Sequence, residues 1–449
     1  MKYLLYTATL ICSIAVKSYA QEAPPNAQTF NFSVQDCVNY AYEHQNAVVN
    51  AGLDIKSAEY KVKETTGIGL PQISGTASFQ DYLKIPTTLL PGEFFGAPGT
   101  FIPVKFGVKY QSNLGVSLNQ ILFNGSYLVG LKASKTYREL SQRNYTRSKI
   151  AANVAVTKAY YQVLVSNEQI KLYDANIAQL KQQVDQTVAQ NKQGFVEKID
   201  VDRITVQYNN LVTSRENIVR SLALNYEMLK FQMGMPIENS LVLTDKLSDI
   251  NLDNNVAEMT TDTSFYHNRI EYALQETQKK LNELDLSNKK SSYLPTLNAN
   301  GSYAASYQDN NFNKLYSQVF PSSYIGLTLN VPIFSGGQRL NQVRQAKIVV
   351  QQSSNNLNNL KNSINLEAKV ATVSYINGLQ TLNNQKRNQE LAQEVLRVSK
   401  IKYQQGVGSS IEVTQAQTSL EDADNKYIQG LYDALVSKVD LDNAYGRIK

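Results

Sequence analysis

Apolar residues recur along this chain with two different periods, and the segments carrying each period alternate in order. A period of seven runs through the long stretches. Ile170, Ile177 and Val184 stand seven apart with Tyr173 and Leu180 between them. After Gly194, Ile204, Leu211, Ile218 and Asn225 alternate with Tyr208, Arg215, Leu222 and Leu229. Val343, Val350, Leu357 and Ile364 carry a third seam, and Val413, Leu420, Tyr427, Ala434 and Leu441 a fourth. Such repeats, with Asn and Gln on many outward positions, predict long coiled-coil helices. Periodicity alone fits a plain helical bundle or a cytosolic coiled coil equally well.

Between the helical stretches lie four segments of period two. Ile73, Gly75, Ala77 and Phe79 oppose Gln72, Ser74, Thr76, Ser78 and Gln80; Leu114, Val116 and Leu118 oppose Asn113, Ser117 and Asn119. Leu297, Ala299, Gly301 and Tyr303 oppose Thr296, Asn298, Asn300 and Ser302; Ile325, Leu327, Leu329 and Val331 oppose Gly326, Thr328 and Asn330. An apolar face backed by an uncharged polar one over about 10 residues fits a transmembrane β-barrel with a wet lumen. The same alternation suits a half-exposed soluble sheet. Tyr82, Tyr110, Phe123, Tyr307, Tyr324 and Phe334 sit near the segment ends, where interface girdles are expected. Four strands cannot close a barrel, and open edges in lipid are costly. The reading therefore requires other chains: a homotrimer would supply twelve strands.

The chain is one plan written twice. Leu70-Pro71-Gln72 recurs as Leu294-Pro295-Thr296, and Asn119-Gln120-Ile121-Leu122-Phe123-Asn124-Gly125 as Asn330-Val331-Pro332-Ile333-Phe334-Ser335-Gly336. Gln193-Gly194-Phe195 and Ile199-Asp200-Val201 return as Gln405-Gly406-Val407 and Ile411-Glu412-Val413. The expected order is a first repeat over 21–236, with helix 33–66, strands 71–83 and 110–123, and helices 126–192 and 198–232. A linker over 237–262 forms a small belt, and the second repeat over 263–449 holds helix 263–292, strands 295–307 and 324–334, and helices 338–404 and 410–446. Each long helix would span about 100 Å. The two short helices of each half, laid end to end, match it. The fold class is mixed α+β: duplicated coiled-coil hairpins of an α-barrel, plus four transmembrane strands per chain. The Pro- and Gly-rich stretch 84–109 joins the first strand pair, either as a folded cap over the mouth or as a disordered surface loop.

Composition narrows the class. Residues 1–20 read as a secretory signal peptide, with Lys2, an apolar run from Tyr3 to Val16, and Ser18-Tyr19-Ala20 before the expected cut. Two lysines leave with that segment, so the net charge of +6 falls to +4. So mild a balance argues against a nucleic-acid partner. Only Cys37 remains in the mature chain, so no internal disulfide is expected. Enzyme chemistry finds little to work with: His44 and His267 are the mature chain's histidines, and neither metal-ligand spacing nor a phosphate loop occurs. No catalytic residue, cofactor or metal site is expected.

The segments Phe32-Ser33-Val34-Gln35-Asp36-Cys37-Val38, Pro332-Ile333-Phe334-Ser335-Gly336-Gly337 and Tyr403-Gln404-Gln405-Gly406, with the Leu-Pro steps into the strands, resemble the TolC-like outer-membrane efflux family. That resemblance implies a passive exit duct in the cell outer membrane, in contact with its lipid and reaching into the periplasm, for efflux or type I secretion. It implies two partners: a periplasmic adaptor (membrane fusion) protein and an inner-membrane pump of RND or ABC type. The turns at Gly194, Phe195 and Val196 and at Gly406, Val407 and Gly408 would dock the adaptor. Glu412 resembles a ring carboxylate at the closed aperture, Asp200 and Tyr403 resemble a closing pair, and Asp202 or Lys198 is a substitute latch. Gly408 stands where the family pattern carries an Arg, and Gln415 replaces a second acid. Ordinary solvated helix-end charges are the plainer reading of these groups. The competing function is a periplasmic coiled-coil adaptor or structural protein without a pore.

Overall fold

The structure is a computed structural model, describing residues 28–96, 98–247, 250, 252 and 264–449. The expected signal peptide lies outside the described residues. In chain order the elements are β1 (Thr29–Phe32), α1 (Val34–His44), α2 (Asn46–Ile68), β2 (Gln72–Asp81), β3 (Thr87–Pro91), β4 (Phe101–Lys105), β5 (Tyr110–Phe123), α3 (Gly125–Lys192) and α4 (Lys198–Met233). They continue with β6 (Ser240–Leu243), α5 (Ile270–Ser291), β7 (Thr296–Asp309), β8 (Phe320–Asn330), α6 (Gln338–Gln404) and α7 (Ser410–Ala444). Two compact units result, one from 1–41 with 159–251 and one from 42–158 with 252–449.

In the first unit, α3 and α4 bury Leu180, Val184, Ile204 and Leu211, flanked by Tyr173, Ile177, Val188 and Tyr208. These are the heptad positions. Asn225, at a core position of the same register, donates to Ser166 Oγ at 3.0 Å. A polar pair in a coiled-coil seam fixes register because any slip leaves it unpaired. β1 pairs in parallel with β6, Thr29 opposite Ser240 and Phe32 opposite Leu243. Ser33 and Asp36 then form a capping box at the start of α1: the carboxylate accepts from Ser33 N at 3.0 Å, and Asp36 N donates to Ser33 Oγ at 3.3 Å. The Ser33 hydroxyl, donating to the same carboxylate at 2.6 Å, and then the Ser33 N–H hold the Asp36 carboxyl below its ordinary range. Asp245, just past β6, accepts from Val34 N at 2.8 Å and from the hydroxyl of fully buried Tyr160 at 2.9 Å. Burial pushes the neighbouring Cys37 thiol up to about 12, so it is an inert core residue.

The second unit holds a four-stranded antiparallel sheet in the order β2-β5-β7-β8. Below it α6 and α7 pack Ala368, Ala371, Tyr375 and Leu379 against Leu441, Ala444 and Tyr445. The crossing is close because its residues are small. A Cβ on Gly378 would lie 3.0 Å from Ser437 Oγ and 3.3 Å from Ala434 Cα. Arg269 is buried among Glu271, Glu367 and the Ala444 carbonyl, which its side chain reaches at 2.9, 3.2 and 3.1 Å. Asn282 of α5 reaches Ser353 of α6 at 2.6 Å.

Several boundaries differ from the sequence reading. The helix expected over 33–66 is two, because Gln45 adopts an extended ψ of 123°. The last strand is displaced: it begins at Phe320 and stops at Asn330, so Phe334 lies outside it. The helix expected from 263 starts at Ile270, after a 3₁₀ turn over Phe265–Asn268. The stretch 84–109 contains an antiparallel hairpin, β3 with β4, Leu89 opposite Pro103. The linker 237–262 contributes β6, while 248, 249, 251 and 253–262 lie outside the described residues.

Because Asp245 serves both the Val34 N–H and the buried Tyr160 hydroxyl, Asp245→Ala should destabilise the first unit by about 2–3 kcal/mol and Tyr160→Phe by about 1 kcal/mol. Thermal denaturation of the two variants checks the order; equal losses would contradict it.

Candidate functional site: an open sheet and two helical turns

The sheet sorts its residues by chemistry across all four strands. Ile73 lies opposite Leu118, Leu118 opposite Gly301, and Gly301 opposite Ile325; Gly75, Val116 and Tyr303 make the next row. Ala77, Leu114 and Ala305 follow, and on the other side Ala299 pairs Leu327 and Leu297 pairs Leu329. This apolar face is exposed, to the extent of 94% at Ile325. The opposite face reads Gln72, Asn119, Asn300; then Ser74, Ser117, Ser302; then Ser78, Asn113, Ser306. Its side chains bond across strands: Ser74 with Ser117 at 2.8 Å, Asn300 to Thr328 at 2.7 Å, Ser306 to Asn113 at 3.3 Å. No ionisable group but tyrosine sits inside the face; acids occur only where strands end, at Asp81 and Asp309. The bulge between Ile121 and Phe123 inserts one residue in β5 and returns Phe123 to the apolar side, opposite Leu297.

Aromatic rings gather at one end of the sheet. Phe79, Tyr110 and Phe312 lie 5.5–6.3 Å apart between centroids, and Tyr307 packs 5.1 Å from Tyr316. Tyr324 does not join them. Since β8 starts four residues earlier than expected, Tyr324 falls mid-strand on the polar face, opposite Ser302.

The two helical turns share one hydrogen-bond plan, 212 residues apart. In the first unit, Gly194 at φ 80° ends α3, and Phe195 N donates to Gln190 O at 3.0 Å. In the second unit, Gly406 at φ 75° ends α6, and Val407 N donates to Lys402 O at 3.0 Å. Both are left-handed glycine caps. Each presents apolar side chains to solvent: Phe195 is 76% exposed and Val407 77%, with Ile199 and Ile411 beyond them. Asn191 Nδ2 ties the first turn to Val196 O at 2.8 Å. The second is tighter, for Gly408 N also donates to Lys402 O at 3.1 Å. A Cβ on Gly408 would lie 3.0–3.2 Å from Lys402 and the Tyr403 backbone, so an Arg there needs a shifted turn.

The gate candidates fall out differently. Asp200, in the first turn of α4, is ion-paired with Arg203 at 3.0 Å. Its repeat mate Glu412 occupies the same place in α7, where Ser409 caps the helix by accepting from Glu412 N at 3.2 Å. Gln415 stands where Arg203 stands in the first copy, so Glu412 has no in-helix cation at that spacing. Asp202 and Lys198 are exposed. Tyr403 packs on the cluster of Leu396, Val413, Ala416 and Leu420. Asp200 and Tyr403 belong to different units, so one chain does not display their pairing.

Sequence reasoning missed a polar set inside the α6–α7 pair. Gln389 donates to Asp424 at 2.8 Å with both buried, and Gln417 is 1% exposed. Burial, together with the charges of Asp424 and Asp422, raises the Glu421 carboxyl. Burial pushes the Lys400 ammonium down to about 8. On a helix of mixed polarity nothing in sequence separates these from solvated neighbours. Among the described residues no group of acids, histidines and cysteines could hold a metal, and no helix is long and apolar enough to cross a membrane.

The family described as outer membrane efflux protein matches residues 38–220 and 285–447. The outer membrane protein TolC of Vibrio cholerae serotype O1 is 21% identical over 74% of this chain and 76% of its own length. The proteases secretion protein PrtF of Dickeya chrysanthemi is 23% identical over 64% of this chain and 60% of its own. In fold, the chain is similar to a crystal structure of CusC, with TM-score 0.77 at 16% identity, covering 96% of this chain and 95% of that one.

Lys400 gives a pH signature. Its pKa falls on folding from 10.5 to about 8, so the unfolded chain binds the extra proton between those values and stability rises with pH across that window. Lys400→Met should therefore raise the melting temperature at pH 7, with the gain shrinking toward pH 10; a pH-independent difference would contradict the assignment.

The duplicated hairpins, the two-faced sheet and a family match over most of the sequence lead to one identification: the chain belongs to the outer membrane efflux protein family, as an outer-membrane channel and not an enzyme.

Proposed function

We propose that three copies of this chain close their sheets into one twelve-stranded barrel and form a passive exit duct for efflux or type I secretion. The observation that carries this is the open sheet: one face apolar and exposed, the other polar without acids or bases, and unpaired outer edges on β2 and β8. The antiparallel order makes β2 and β8 run in opposite directions, so the β8 edge of one copy suits the β2 edge of the next. Two copies would give eight strands, about the number whose interior side chains fill it. Three leave room for a lumen.

The duct supplies a path, and the energised step belongs to partners: a periplasmic adaptor and an inner-membrane pump of the RND or ABC type. The glycine-capped turns are the docking points, with Phe195, Ile199, Val407 and Ile411 as exposed apolar contacts. The same end carries the aperture. Glu412 is the favoured ring carboxylate, because Asp200 already has Arg203. Three like charges converging on the axis draw cations and repel anions. Asp200 and Tyr403, with Asp202 in reserve, form the latch between neighbouring hairpins.

Planar-bilayer recordings test this assignment. Glu412→Gln should lower cation selectivity with little change in open conductance. Asp200→Ala combined with Tyr403→Phe should raise resting conductance. Unchanged selectivity removes the ring; absence of any conductance in the unsubstituted protein removes the duct.

A further inference from the structure

The duplication preserves a feature that channel formation does not use. Three residues into α3 stands Leu128, followed on the same face by Lys132 and Lys135 at i+4 and i+7. Two residues into α6, 212 positions later, stands Leu340, with Arg344 and Lys347 at the same spacing. The two leucines are exposed to nearly equal degree, 49% and 47%, and the four cations are exposed as well. Both stripes belong to the second unit, and each lies near the start of the long helix that follows a strand of its sheet. Immediately above them the chain exposes Leu122 and Phe123 in one copy and Ile333 and Phe334 in the other.

Charge around these stripes is lopsided. Residues 125–138 carry Lys132, Lys135 and Arg138 and no acid; residues 338–351 carry Arg339, Arg344 and Lys347 and no acid. None of these six cations forms an ion pair among the described residues, whereas half of the other lysines and arginines on the helices do. An accidental solvated face would not repeat its apolar-basic-basic order near the start of the long helix in both halves. At 1.5 Å per residue the cations lie about 10–15 Å below the start of each helix, with the leucine between them and the apolar belt. Aromatic and aliphatic contact first, then leucine, then ammonium or guanidinium is the order of a membrane interface read from hydrocarbon to headgroup.

We propose that Lys132, Lys135, Arg344 and Lys347 form an anion-binding collar for the phosphate-bearing headgroups of anionic phospholipids in the leaflet that meets the helices. This rests on the reading of the sheet as membrane-spanning. Repeated in three copies, the collar places twelve cations around the duct and fixes its depth in the bilayer by charge, where the strands fix it by apolar area. Each basic group near an anionic surface contributes an attraction that salt screens within about 10 Å at 0.1 M.

The test is insertion of the purified protein into vesicles of neutral phosphatidylcholine and into vesicles containing phosphatidylglycerol, followed by flotation and conductance. The unsubstituted protein should insert into both, with a preference for phosphatidylglycerol that falls as salt rises. The variant K132Q/K135Q/R344Q/K347Q should insert into neutral vesicles equally well and conduct normally, yet lose at least about tenfold of the anionic preference. The charge-conserving variant K132R/K135R/R344K/K347R should keep it, which separates charge from misfolding. An unaltered preference in the glutamine variant overturns the collar. So does a change in anion selectivity without a change in lipid preference, which would place these groups in the lumen. Failure to insert into either vesicle would instead overturn the membrane reading beneath it.

Discussion

A strand edge in hydrocarbon has nowhere to send its N–H and C=O groups, and each unpaired group costs several kcal/mol. This chain builds four strands whose one face suits hydrocarbon and whose other face suits water, then leaves β2 and β8 open. Every larger feature follows from that constraint. Strands with such edges cannot remain alone in a bilayer, and that is the physical ground for the proposed assembly. Serine, threonine and asparagine on the polar face satisfy one another across strands without bringing in charge.

The helices obey a related rule. Two hairpins with the same glycine-capped turn carry different interiors: α3 with α4 is filled by Leu, Val, Ile and Tyr, whereas α6 with α7 leans on alanine, Gly378, Gly430 and buried amides. Small residues allow close helix approach, and buried polar groups penalise any slip of register. Duplication therefore supplied the plan twice, and divergence altered what each copy does with it. Asp200 keeps an internal cation; Glu412, its counterpart, faces a glutamine instead.

Much of this was legible in the sequence because period and length are properties of continuous segments. The long helices α3 and α6 contain no proline to interrupt their heptads, and the strands alternate cleanly. What escaped depends on distance or on a single dihedral. The break at Gln45 has neither Pro nor Gly to announce it. The parallel pair of β1 with β6 joins four-residue segments 211 positions apart, too short for a periodic signal. Tyr324 moved from a strand end to mid-strand because β8 began earlier, at Phe320. Nothing in the sequence distinguishes Lys400 and Gln417 from solvated neighbours; only burial does.

The central claim is that the open edges of the sheet are closed by further copies of the same chain. Cysteine pairs placed along β2 and β8 in a Cys37→Ala background measure this directly in the membrane. Intermolecular disulfides are expected between the two edges in one antiparallel register, giving a ladder that ends at three linked chains. Absence of cross-links at every register, or a ladder running past three, would contradict it.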